Sequence, residues 1–310
     1  MPELPDITVY LEALERRVLG HVLRRVRIAG PFLLRTAHPP VDSVQGQKVT
    51  ELRRIGKCIA MGFANGHWLV LHLMIAGRLH WKNKAVIPDG RRTLAAFEFA
   101  SGTLTLTEAG TQKRASLHMF SNEEEMGSID PGGLEVLTAT GEQFAATLLS
   151  ENHTLKRALT DPHLFSGIGN AYSDEILFHA QLSPVQLTQR MQPVAIERLY
   201  RATKDTLNDW VRRLREETGE KFPEKVTAFR EEMCAHGRYG QPCRRCSTKI
   251  QRIRYAANET NYCPNCQTSG KLLADRALSR LLREDWPRSL EEMEERKKEA
   301  TKQESIAATK

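Results

Sequence analysis

Residues 243–266 read CRRCSTKIQRIRYAANETNYCPNC. The four cysteines, Cys243, Cys246, Cys263 and Cys266, follow the spacing C-x2-C-x16-C-x2-C. Two such knuckles can bring four thiolates into a tetrahedron around one zinc ion. The residues between them read as strand, Asn-containing turn and strand, so the chain can reverse between the knuckles. Four protein ligands leave no open coordination position, so a zinc held this way is structural and not catalytic. Between Cys234 and Cys266 lie Arg238, Arg244, Arg245, Lys249, Arg252 and Arg254, against one acid, Glu259. A small, basic, metal-held hairpin suits contact with phosphates. The same charges would also serve merely to solvate a small module. Cys58 and Cys234 fall outside the cluster and read as bystanders.

The rest of the chain bounds the setting. It has 310 residues, and 45 Lys and Arg against 38 Asp and Glu give a net charge of +7. That length suggests two domains with room for a small third module. The basic balance is compatible with a polyanionic partner. The longest apolar stretch, WLVLHLMIA from Trp68 to Ala76, is far short of the roughly 20 residues a membrane span needs. The start, MPELPDITVY, carries acids and no basic n-region, which argues against a secretory signal. Clustered cysteines argue against a distributed disulfide framework. The expectation is a cytoplasmic protein with no membrane partner.

Along the chain, Asp6 reads as a helix N-cap, followed by Ile7, Leu11, Leu14 and Val18 at helical spacing, with Gly20 at the end. Residues 22–120 read mostly as short strands: VLRRVRI, QKVTELRRI, CIAMGF, WLVLHLMI, AAFEFA and TLTLTE. Many short strands after one helix suggest a sandwich or barrel. The pattern changes at Asp130-Pro131-Gly132-Gly133. Beyond it GEQFAATLLS, LKRALTD, NAYSDEILFHAQL and VAIERLYRATKDTLNDWVRRLREE have helical periodicity. LLADRALSRLL reads as a short helix, and the charged end as disordered.

Two further segments carry chemistry. Ser166-Gly-Ile-Gly-Asn-Ala-Tyr places two glycines before a helix, with Asn170 as its cap and amide groups suited to a phosphate. Alone, such a turn is equally a structural one. At the N-terminus, Met1-Pro2-Glu3-Leu4-Pro5 has a small residue after Met1, and removal of Met1 would leave Pro2 as a secondary amine. An α-amino group titrates near 8, well below lysine, so an appreciable fraction of it is unprotonated at neutral pH. Such an amine can form an iminium ion with a sugar C1′, and Glu3 beside it suits acid/base work. Read without the other motifs, Pro2 and Pro5 only stiffen the lead into a helix.

Together, the PELP start, the strand-rich first domain, the GxGN turn and the C-terminal cysteine knuckles resemble the formamidopyrimidine-DNA glycosylase / endonuclease VIII family of bifunctional DNA repair enzymes. The resemblance covers residues 2–270. It implies an α+β multidomain fold: an N-terminal catalytic β-sandwich flanked by helices (1–135), a helix-two-turn-helix DNA-binding domain (136–220) and a four-cysteine zinc finger (234–270). A short helix and tail follow (271–310). Damaged DNA would be the partner, one structural zinc the only cofactor, and the protein a monomer. The implied activity is base excision by a DNA glycosylase with abasic (AP) lyase activity. Pro2 would be the nucleophile, Glu3 the acid/base, and Lys57 of RRIGKCI a contact to the lesion sugar and phosphate. Lys156, Gly169 and Asn170 would bind DNA, as would Arg252, Arg254 and Asn258 of the finger. His72 lies in HLMIAGRL, which is similar to the family's HLGMSG segment, whose wedge methionine matches Ile75.

The chain also departs from the family pattern. Thr8 stands where an acid is common, Met74 precedes the wedge position, and the loop that carries wedge Arg and Phe is replaced by TEAGTQKRASLHMF. The finger's usual arginine is Asn258, which cannot grip a phosphate bidentately. The segment before the finger is shorter than the loop covering 8-oxoguanine in other members. A non-catalytic damaged-DNA binder is the alternative, and a zinc-ribbon RNA or translation factor explains the charge but not the N-terminus.

Overall fold

A computed structural model of the chain describes residues 1–274 except 225, 228, 256 and 257, together with 287, 289–296 and 298. The chain divides into two compact units. One comprises Met1–Thr147, Thr160–Gly169 and Lys204–Ala228; the other comprises Leu148–Leu159, Asn170–Thr203 and Phe229–Lys310. This division differs from the contiguous domains expected from the sequence, and packing explains it. Phe222 and Val226 are buried in the same apolar core as the N-terminal strands. Arg215 also pairs with Glu12 at 2.5 Å.

The first unit opens with helix α1, Leu4–Val18. Its N-cap is Glu3, not Asp6. Asp6 sits one turn in, and its carboxylate accepts the Glu3 N–H at 3.0 Å. Pro5 fits the first turn because the N–H it lacks would have had no helical partner. Gly20, with φ +79°, lies just past the end, as expected. Eight strands follow: β1 (Leu23–Ile28), β2 (Val49–Ile55), β3 (Cys58–Phe63), β4 (Trp68–His72), β5 (Gly77–Lys82), β6 (Thr93–Phe99), β7 (Gly102–Glu108) and β8 (Ser116–Phe120). They form two antiparallel four-stranded sheets, ordered β1-β6-β7-β5 and β2-β3-β4-β8. One core joins Ile7, Tyr10 and Leu14 of α1 to Ile59, Leu71, Phe97 and Leu106 of the sheets. A short helix α2, Glu123–Gly127, is capped by Asn122.

The apolar run WLVLHLMI is not one strand. β4 stops at His72, and residues 73–76 turn the chain into β5. Gly77 makes the turn tight: its N–H donates to Leu73 O at 2.9 Å, and a Cβ there would lie 2.2 Å from that oxygen.

The later elements are α3 (Gly141–Leu149), α4 (Leu155–Thr160), α5 (Asn170–Ala180), α6 (Pro193–Thr218), β9 (Gln251–Tyr255), β10 (Asn258–Tyr262) and α7 (Pro264–Thr268). The four helices α3 to α6 fall on the four periodic segments of the sequence. β9 and β10 pair as an antiparallel hairpin between the two cysteine knuckles. The short helix expected over 272–282 lies almost entirely outside the described residues. Residues 290–296 of the expected disordered tail are helical, and Glu294 there pairs with Lys249 at 2.7 Å.

Candidate active site and finger

Pro2 and Glu3 are both buried, and Glu3 retains only 2% of its exposure. A buried carboxylate needs hydrogen-bond donors. The glycine turn supplies one, because the Gly169 N–H donates to Glu3 Oε2 at 2.8 Å. The Leu4 N–H donates to Gly167 O at 2.9 Å, so the two segments are tied twice. Glycine is required at both positions. Gly167 has φ +80°, and a Cβ at Gly169 would lie 2.5 Å from Glu3 Cδ. The turn therefore holds the carboxylate. The Gly169 amide is engaged with Glu3.

Arg54 fixes the turn from the other side. It donates to Ser166 Oγ at 3.1 Å and to Gly56 O at 2.7 Å, and it pairs with Glu135. Glu135 accepts from Ser166 Oγ at 2.5 Å. Sequence reasoning missed Arg54 and Glu135, which lie 81 residues apart. The RRIGK motif was the only signal for the first of them.

Lys57 occupies the two-residue turn between β2 and β3, after Gly56 with φ +56°. A positive φ at the first central position suits a type II′ hairpin turn. The Lys57 charge acts on two neighbours. Burial foremost, then the Lys57 and His118 charges, lowers the His72 imidazole to about 4. The neutral ring is what its hydrogen bond requires, because His72 Nδ1 accepts the Met74 N–H at 3.1 Å. The Met1 amino terminus is likewise held below the ordinary α-amine value. Burial is the main cause, Arg78 and Lys57 add to it, and Glu3 and Asp6 oppose it. Met74 takes the left-handed conformation, φ +51°, and the next residue, Ile75, stands 61% exposed at the loop tip.

In the second unit the predicted DNA contacts form an internal network. Lys156 Nζ donates to Asp174 Oδ1 at 2.5 Å and to Asn170 O at 2.6 Å. Asp174 is fully buried and also takes His236 Nδ1 at 2.8 Å and the Asn261 N–H at 3.1 Å. Lys156 thereby braces the start of α5. Asn170 begins α5, and its Nδ2 donates to Glu259 O of β10 at 2.9 Å. Arg252 and Arg254 converge on Glu259, at 3.1 and 3.5 Å, and Arg252 lies 4.0 Å over the Tyr239 ring. The Asn258 backbone belongs to β10, and its side chain lies outside the described residues. Nothing in the sequence marked Asp174 or His236.

The four cysteine sulfurs lie within 4.8 Å of one another. Cys246 Sγ is 3.4 Å from both Cys263 and Cys266 Sγ, and Cys243 Sγ is 3.9 Å from Cys266 Sγ. Tetrahedral zinc with ligands at about 2.3 Å has sulfur–sulfur edges of about 3.8 Å, so the four thiols fit one zinc. Backbone N–H groups of Arg245 and Cys266 point at Cys243 and Cys263 sulfurs, at 3.4 and 3.5 Å. The finger holds one structural zinc. Phe178, Ala235 and Ile250 pack around it. Another grouping, Glu175, His179 and Cys234, is close enough for a metal. There the Glu175 oxygens already accept the N–H groups of Cys234, Ala235 and His236. Cys58 is buried in the first unit, where burial raises its thiol to about 12.

Three family models match in chain order. They are the formamidopyrimidine-DNA glycosylase N-terminal domain over residues 1–114, the H2TH domain of the same enzymes over 133–221, and the zinc finger found in FPG and IleRS over 240–268. Among similar curated proteins, a formamidopyrimidine-DNA glycosylase of Bacillus cereus is 29% identical over 280 residues, covering 86% of this chain and 99% of its own. One of Desulfitobacterium hafniense is 27% identical over 281 residues, at 86% and 100%. Among solved structures, Lactococcus lactis Fpg bound to DNA containing an abasic site superposes with a TM-score of 0.76 at 22% identity, covering 86% of this chain and 99% of that one. With sandwich, helical segments, finger and N-terminal motif in one order, the chain belongs to the formamidopyrimidine-DNA glycosylase / endonuclease VIII family.

Proposed function

We propose that this protein is a DNA glycosylase that excises damaged bases and, through Pro2, also acts as an abasic-site lyase. The observation that carries the reading is the buried Glu3 carboxylate, pinned by the Gly169 amide at 2.8 Å beside Pro2. Burying a carboxylate costs stability that its hydrogen bond offsets only in part, and acid/base work next to an amine nucleophile accounts for its being held there. The named relatives, all formamidopyrimidine-DNA glycosylases, support the same activity.

With Met1 removed, burial and the Arg78 and Lys57 charges, which lower the terminal amine of Met1, would act in the same direction on Pro2. The lesion nucleotide must first leave the stack, which costs a few kcal/mol, and Ile75 at its loop tip is suited to fill the gap. The Pro2 nitrogen bonds to C1′ as the bond from C1′ to the base breaks. The base leaves with that electron pair and takes up a proton, and the Pro2 nitrogen gives up its own. The ring oxygen then leaves C1′ with a proton from Glu3, giving an iminium ion. The iminium acidifies the C2′ proton, and its loss expels the 3′ phosphate. A second elimination would expel the 5′ phosphate. Lys57 supplies positive charge at the sugar and its phosphate. Asn170, Arg252, Arg254 and Asn258 contribute to holding the DNA backbone, with Lys156 bracing Asn170.

A panel of oligonucleotides with one lesion each, their cleaved ends identified by mass, tests this. The expected products are a free damaged base and strand ends carrying a 3′ unsaturated aldehyde or a 3′ phosphate. Binding to damaged DNA with no cleavage of any lesion would favour the non-catalytic alternative.

A further inference from the structure

The outer face of β5, the edge strand of its sheet, is basic. Its residues alternate between Leu79 and Trp81, which face the core side, and the basic side chains Arg78, His80 and Lys82. These three stand opposite Thr107, Thr105 and Thr103 of β7. Lys84 and Arg92, from the loop between β5 and β6, close the other wall of a hollow of about 770 Å³. Lys82, Lys84 and Arg92 are exposed, and none has a carboxylate partner among the described residues. Among the described residues one carboxylate lines the hollow, Glu224, and it is held on His80, whose other ring nitrogen lies 2.9 Å from Thr107 Oγ1.

Unpaired cations on a concave wall beside hydroxyl groups fit a chain of phosphates. Alternate residues of a strand lie about 7 Å apart, close to the spacing of successive phosphates along an extended nucleic-acid strand. At about 770 Å³ the hollow is far smaller than a duplex and on the scale of a short stretch of one strand. Its inner end is Arg78, which donates to Ile75 O at 3.1 Å and Gly77 O at 2.7 Å and so belongs to the loop that carries Ile75. We propose that this face is a track for an unpaired DNA strand leading away from the lesion, so that the substrate is a lesion beside single-stranded DNA, as at a fork, gap or flap. The proposal rests on the glycosylase reading for the lesion and adds the form of the DNA around it.

The test compares two oligonucleotides with the same tetrahydrofuran abasic analogue, one a blunt duplex and one with a single-stranded arm beside the lesion, made in both polarities. The full-length protein should bind one armed form about tenfold more tightly than the blunt duplex. The variant K82A/K84A/R92A should lose that advantage and bind the blunt duplex as before. Three lost phosphate contacts should also make its salt dependence on the armed form shallower by about 2 in log–log slope. Equal binding of armed and blunt DNA by the wild type overturns the proposal. So does an equal loss on both forms in the variant, which would mark general surface charge. A protein that prefers the arm but cleaves no lesion would keep the track and refute the glycosylase reading, so the two failures are distinguishable.

Discussion

Gly169 shows how a single backbone position governs where the Glu3 carboxylate sits. The absence of a side chain there lets Glu3 sit against the turn amide, and a methyl group would meet the carboxylate carbon at 2.5 Å. Gly169→Ala should move Glu3 by about an ångström and slow base excision on the order of a hundredfold. Single-turnover rates, with DNA affinity measured beside them, check this; an unchanged rate would mean that Glu3 is not the acid. His72 offers a second handle. Its imidazole titrates near 6.5 when unfolded and at about 4 when folded, because burial disfavours the cation. The folded state therefore gains a contribution that is complete above pH 6.5 and disappears as pH falls towards 4, about 3 kcal/mol at most. Urea unfolding of wild type and His72→Gln at pH 7 and 4.5 should show the wild type losing more stability at the lower pH. Parallel losses would contradict the assignment. At this scale, Pro2, Glu3 and the cysteines were legible in the sequence because local motifs carry them. Asp174, Glu135 and Arg54 were not, because their partners are far away in the chain.

At the scale of elements, hydrophobic periodicity located α1, the four later helices and six of the first eight strands. It missed β5 and β8. β5 was hidden because the apolar run from Trp68 to Ala76 continues through β4 into the loop, so no polar break marks where the strand ends. The turn there depends on Gly77 and the positive φ of Met74, which are backbone facts. β8 is a short strand, SLHMF, whose place is set by pairing with β4. The finger was legible because ligand spacing encodes its closure. It has few apolar residues of its own, so zinc should supply most of its stability. Chelation should abolish amide protection over residues 243–266 while β3, β4 and β7 stay protected, as read by hydrogen exchange. Loss of protection in the strands together with the finger would contradict this.

For the whole molecule, the domains read from the sequence are contiguous, whereas the compact units are not. Residues 204–228 join the N-terminal unit through Phe222, Val226 and the Arg215–Glu12 pair, contacts between residues some 200 positions apart that periodicity does not reveal. The net charge of +7 and the basic finger make DNA affinity a matter of counterion release, so binding should weaken steeply as salt rises. A flat salt dependence would contradict a phosphate-based grip. The central claim is covalent, and trapping tests it most directly. Protein whose Met1 has been removed is mixed with abasic-site DNA and sodium borohydride, and the adduct is mapped by peptide mass. The account predicts a stable cross-link on Pro2 that vanishes when Met1 is retained. A cross-link on Lys57 or another lysine, or equal trapping with Met1 in place, would contradict it.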